Sequence, residues 1–165
     1  MFHQAARGRL MLGAAAVVLV AGLVTWVAWP RADGDPPPRE RTYRDLTACL
    51  LTDDKGLLND PAKSVWAGMQ EVSVAKSVRV QYRSIAGAQT TANGLPYFNS
   101  LAQQQCAVIV AAGPVPLASM QAGMAKFTGI RYAVVGADPS EASVVKATPD
   151  DVRSLIAGLA DAAKP

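Results

Sequence analysis

The chain reads as an α/β protein: a three-layer αβα sandwich around a parallel five-stranded sheet of order 2-1-3-4-5, preceded by one transmembrane helix. Three observations predict this. Short apolar segments stop repeatedly at Asp or Gly and alternate with stretches of helical periodicity. An uncharged run from Leu10 to Trp29 stands ahead of them. Between the two lies a Pro-rich stretch with little to bury.

Residues 1–9 form a basic tail with Arg7 and Arg9. Leu10–Trp29 supplies 20 uncharged residues, enough as a helix to cross a hydrocarbon core of about 30 Å. Trp26 and Trp29 stand at its far end, where indoles favour the interface. A cleaved signal peptide is the rival reading, but Ala28 would place Trp26 at the −3 position and Ala32 would place Pro30 there, both poor sites. The expectation is an uncleaved single-pass anchor. Orientation carries a conflict. Arg31, Arg39, Arg41 and Arg44 outweigh Arg7 and Arg9, which by the positive-inside rule would keep the domain in the cytoplasm. The basic head instead resembles the start of an export signal, and the extracytoplasmic orientation is the one adopted. Residues 30–44 contain Asp-Gly-Asp-Pro-Pro-Pro and read as a polyproline spacer. Residues 45–165 read as one α/β lobe.

Within the lobe, strand one is expected at 46–52, a helix at 61–76 and strand two at 78–84, where alternation has period two. Pro61 suits a first helical turn, with Asn59 or Asp60 as cap. A second helix starts at Thr90 or Thr91 and runs to Gln105, with Pro96 expected to delay its start. Strand three spans 106–112. Gly113-Pro114-Val115-Pro116 reads as a turn before a third helix ending near Lys126. Strand four spans 130–136, a short fifth strand 144–147, and Pro149-Asp150-Asp151 opens the last helix.

Charge and composition exclude several functions. The formal charge of +3 resides in residues 1–44, with six Arg against Asp33, Asp35 and Glu40; the remainder holds ten basic and ten acidic residues. A nucleic-acid-binding face is therefore not expected. The only His is His3, and the two Cys have no CxxC spacing, so no metal site and no cofactor are expected. No G-x-G-x-x-G or Walker spacing is present.

Asp53, Asp54 and Lys55 fall at the carboxyl end of strand one, Gly113 at that of strand three, and Gly136 and Asp138 at that of strand four. In order 2-1-3-4-5 these tips converge on the switch between strands one and three, where open α/β sheets take ligands. They are the candidate ligand-binding residues. Asp and Gly also simply stop strands. Asp53 and Asp54 have no His or Ser-base partner, so no catalytic residues are assigned and no enzyme is expected. Cys49 and Cys106 lie near the starts of strands expected to be neighbours about 4.8 Å apart, close to the spacing of a disulfide. Two buried thiols are the alternative.

Thr47–Lys55, Ser64-Val65-Trp66-Ala67-Gly68-Met69, Val108-Ile109-Val110-Ala111-Ala112-Gly113 and Arg131-Tyr132-Ala133-Val134-Val135-Gly136 together resemble the basic membrane protein family. Those are substrate-binding proteins of ABC importers, related to purine-nucleoside-binding lipoproteins. The resemblance covers about residues 46–160 and is carried by order and spacing. It implies a periplasmic-binding-protein-like lobe that binds a small ligand for, or by descent from, import. Three departures limit the carry-over. The family has two lobes, and only the first is present. Its S-F-N segment, which contacts the nucleoside, aligns with Asp60-Pro61-Ala62, so nucleoside binding is not carried over. Leu46-Thr47-Ala48-Cys49 imitates a lipobox but lies about 17 residues past the apolar run, inside a strand. The expected partners are the membrane, through residues 10–29, a small molecule, and a second copy, a missing-lobe protein or an ABC permease. The alternative is a non-catalytic envelope interaction or sensor module without a ligand.

Overall fold

A computed structural model describes residues 43–163. The predicted tail, the anchor at 10–29 and the spacer up to residue 42 lie outside the described residues. No helix among the described residues is long and apolar enough to cross a membrane.

Five strands form one sheet: β1 (Thr47–Thr52), β2 (Arg79–Ser84), β3 (Val108–Ala112), β4 (Arg131–Val135) and β5 (Val144–Lys146). Their order is β2-β1-β3-β4-β5, and every pairing is parallel. Four helices connect or follow them: α1 (Ala62–Lys76), α2 (Thr91–Gln103), α3 (Pro114–Gly123) and α4 (Pro149–Ala162). A single 3-10 turn, Met124–Lys126, extends α3.

The period-two pattern of the strands divides the core in two. Ala48, Leu50, Val108, Val110, Ala133 and Val135 face α1 and α4, where Val65, Met69, Val152 and Ile156 meet them. Cys49, Leu51, Ile109, Ala111, Tyr132 and Val134 face α2 and α3, against Phe98, Leu101, Leu117 and Met120. β1 and β3 are therefore apolar on both faces, as central parallel strands must be. β2 is an edge strand and keeps the half-exposed pattern its sequence alternation implies.

Element boundaries differ from expectation where local chemistry overrides pattern. Pro96 does not delay α2. Thr90 caps the helix by accepting the Asn93 N–H at 3.3 Å, and Pro96 lies within it. α2 ends at Gln103, and Gln105 turns the chain with a positive φ of 58°, so β3 starts at Val108 rather than Cys106. α3 begins at Pro114, not after Pro116, because the first turn of a helix has no intrahelical use for the N–H that proline lacks. α1 takes Pro61 as its cap without a side-chain bond, and Asp60 accepts instead from the Ser64 hydroxyl. Trp66 of the W-x-G stretch packs edge-on against Tyr82 of β2, centroids 5.2 Å apart.

The end of the predicted spacer is already part of the fold. The Arg44 N–H bonds Ser77 O at 2.8 Å. Its guanidinium donates to the carbonyls of Ala160 and Ala163, both at 2.9 Å. Those carbonyls end α4, where the helix dipole favours a cation.

Candidate functional site

The carboxyl ends of the strands form one edge of the sheet. Thr52 of β1 pairs with Ser84 of β2, Leu51 pairs with Ala111 of β3, and Ala112 pairs with Val135 of β4. α1 leaves β1 on one face and α3 leaves β3 on the other, so the connections diverge between these two strands. That is the switch point, with Asp53, Asp54 and Lys55 in the turn that follows β1 and Gly113 directly after β3.

Each residue is tied into local structure. Asp53 Oδ1 accepts the Lys55 N–H at 3.0 Å, and the Gly56 N–H bonds Asp53 O at 3.2 Å, so Asp53 folds the turn after β1. Lys55 Nζ pairs with Asp54 at 3.3 Å, both side chains being well exposed. Gly113 has φ 98°, and a Cβ built on it meets nothing within 4 Å, so the space above it is open. Its N–H bonds Val135 O at 2.9 Å and ties β3 to β4. In the first turn of α3 that follows, Pro114 and Pro116 have no N–H to offer. The Leu117 N–H already bonds Gly113 O at 3.2 Å, which leaves Val115 as the one donor for a ligand at this helix end. A phosphate cradle of several backbone amides is thus not built here.

Gly136 lies beside Gly113, because the carbonyl of Val135 just before it accepts the Gly113 N–H at 2.9 Å, whereas Asp138 stands apart. Gly136 has φ 77°, and a Cβ there would lie 2.7 Å from Pro61 Cγ, so the loop before α1 rests on it. Asp138 pairs with Lys146 at the exposed end of β5. Among the described residues, no cluster of three or more His, Cys, Asp or Glu side chains comes together.

Sequence reading missed the residues that stiffen this edge. Thr52 is fully buried and donates its hydroxyl to Asp53 O at 3.2 Å. Asn93 donates to Ala86 O at 2.7 Å and Ala88 O at 2.8 Å, and Gln89 to Ile85 O and Gly87 O, both at 2.9 Å, clamping the loop after β2. An Asn three residues after a helix-capping Thr is a weak signal for such a clamp.

At the opposite, amino-terminal edge Cys49 and Cys106 form a disulfide with Cα atoms 5.9 Å apart. Both are buried, and Gln81 Nε2 lies 3.2 Å from the Cys49 sulfur. At the same edge, Gln81 also lines a cavity of about 470 Å³ together with Tyr43, Thr47, Ser73, Arg79, Val80 and Gln104.

Known proteins agree with the architecture. No family model matches the chain, and no curated protein matches it. Among solved structures, a candidate-lipoprotein fragment from Peptoclostridium difficile 630 is similar at TM-score 0.56 and 12% identity, over 71% of this chain and 97% of its own. The fold is shared. A 5-methylthioribose transporter solute-binding protein from Thermotoga lettingae TMO is similar at TM-score 0.46 and 13% identity, over 72% of this chain and 47% of its own. An ABC transporter periplasmic solute-binding protein from Actinobacillus succinogenes 130z, with bound D-allose, stands at 0.45 and 16%, over 59% of this chain and 34% of its own. The chain spans less than half the length of either solute-binding protein.

Proposed function

We propose that this chain is a single-lobe relative of ABC solute-binding proteins, of basic membrane protein type, held outside the cytoplasmic membrane by residues 10–29. It binds a small uncharged or weakly charged solute at the switch point between β1 and β3, and it has no catalytic role. The observation that carries this reading is the geometry of that point: two divergent connections, an open space above Gly113 at the end of β3, and the polar turn Asp53–Gly56 at the end of the neighbouring strand β1. The disulfide supports an oxidising compartment, since such bonds persist outside the cytosol.

One lobe cannot enclose a solute. Ligand pockets bury about 70–90% of their ligand, and here Gly113 faces open space. Firm binding therefore calls for a second wall: another copy, a missing-lobe protein or a permease. Phosphorylated solutes fit poorly, because two prolines remove donors from the start of α3.

A second reading, an envelope interaction module without a small ligand, is favoured by one observation: the carboxylates of Asp53 and Asp54 are already engaged by their neighbours. Thermal unfolding of the full chain in detergent against adenosine, ribose and glutamine separates the two. A midpoint that rises with the concentration of one of them supports solute binding. A flat response to all three supports the interaction module.

A further inference from the structure

The free edge of β2 carries a feature that solute binding does not use. Among the described residues β2 bonds only β1, on one side. The N–H groups of Arg79 and Ile85 bond the carbonyls of Leu46 and Thr52. By the alternation of a parallel ladder, Val80, Tyr82 and Ser84 turn their own N–H and C=O groups away from the sheet. Edge strands are commonly blunted by charge or shortness. β2 has six residues, twice the length of the three-residue β5 at the opposite edge.

The side chains along this edge alternate in chemistry. Arg79 and Arg83 are exposed on the face toward α2, and neither forms an ion pair among the described residues. On the other face Tyr82 is 45% exposed and Val80 is half-buried. At the start of the strand the edge runs into the 470 Å³ cavity, whose lining includes Arg79, Val80 and Gln81 together with Tyr43. Protection against aggregation explains the arginines. It does not explain the cavity at the start of the strand, nor why Tyr82, packed edge-on against Trp66, keeps so much of its surface exposed.

We propose that the β2 edge is a docking site for an extended acidic segment of a partner protein, which adds as a sixth strand. Its backbone bonds Val80, Tyr82 and Ser84. Its acidic side chains alternate with apolar ones, so that carboxylates meet Arg79 and Arg83 while apolar groups cover Val80 and Tyr82. A second copy of this chain is the wrong occupant. Two β2 edges laid side by side bring four arginines together with no carboxylate between them, and like charges across strands repel.

The test uses the full chain in detergent and a fluorescent peptide of alternating Glu and Val, with the Lys-Val peptide as control. The expected result is binding of the Glu-Val peptide alone, weakened on the order of tenfold by about 0.5 M salt, with slowed hydrogen exchange at residues 79–84. Arg79→Glu with Arg83→Glu should abolish it. So should Val80→Pro, which removes one outward N–H and leaves the β1 ladder intact. Retained circular dichroism shows that these variants fold; should Val80→Pro unfold, the arginine pair alone decides. Equal binding of the Lys-Val peptide, protection elsewhere than 79–84, unchanged binding by the double arginine variant, dimerisation through β2, or binding of phosphatidylglycerol vesicles in place of the peptide would each overturn the proposal.

Discussion

The two edges of the sheet are built differently. At the amino-terminal edge, residues far apart in sequence hold one another. Cys49 is bonded to Cys106, 57 positions away, and Arg44 closes the end of α4, 116 and 119 positions away. At the carboxyl-terminal edge the links are mostly short-range: Asp53 to Lys55, Lys55 to Asp54, Thr148 to Asp151. Side-chain links thus tie distant segments together at the amino-terminal edge and shape local turns at the carboxyl-terminal one.

The sharpest way to break this contrast is to cut the disulfide. Removing a cross-link over such a loop is expected to lower stability by about 2–4 kcal/mol. Urea unfolding of Cys49→Ala/Cys106→Ala beside the parent checks it, and a loss below about 1 kcal/mol would remove the amino edge from its role. Gly136→Ala probes a tight packing contact at the other edge. A Cβ there meets Pro61 Cγ at 2.7 Å, and φ is 77°, so a loss of about 1–3 kcal/mol is expected. Gly113→Ala shares the positive φ without the clash and should cost less, about 1 kcal/mol.

Arg44→Ala should remove about 1–2 kcal/mol by stripping two carbonyls of their charged donor, with faster hydrogen exchange at the end of α4. Were Arg44→Ala neutral, the spacer would end at residue 44 as the sequence suggests. Thr148→Ala should remove a helix cap worth about 1 kcal/mol. The same threonine holds the Asp151 carboxyl below its ordinary range, chiefly through its side-chain hydroxyl at 2.7 Å and then its N–H at 2.9 Å. A lowered carboxylate value stabilises the fold above the ordinary range, and that contribution is lost as pH falls through the lowered value. Thr148→Ala should therefore flatten the acid limb of stability against pH. Asp138→Asn breaks an exposed pair with Lys146 and should change stability by less than about 0.5 kcal/mol.

The sheet was legible because each strand carries its burial pattern in its own residues. Unbroken apolar runs at β1 and β3 and alternation at β2 fix which strands are central and which is an edge, and the parallel connections then set the order. That order put Cys49 and Cys106 on neighbouring strands, and the structure joins them as a disulfide. The site was legible only in position. Asp53 and Gly113 fall where expected, because strand ends are marked locally. Nothing near Gly136 in sequence reveals that Pro61, 75 residues earlier, fills the space in front of it. Nothing near Arg44 reveals the distant helix end it closes. Contacts of that kind depend on three-dimensional placement, and pattern reading has no access to them. Pro114 and Pro116 were visible as turn formers, but their effect, a helix start short of donors, appears only once α3 is seen to begin between β3 and the open space.

Hydrogen exchange of the full chain in detergent, with and without adenosine, ribose and glutamine, tests most directly whether the switch point is a solute site. A solute site there means that one of these slows exchange at residues 53–58 and 113–117, with residues 79–84 unaffected. No change with any of the three, or protection confined to the amino-terminal edge, would contradict it.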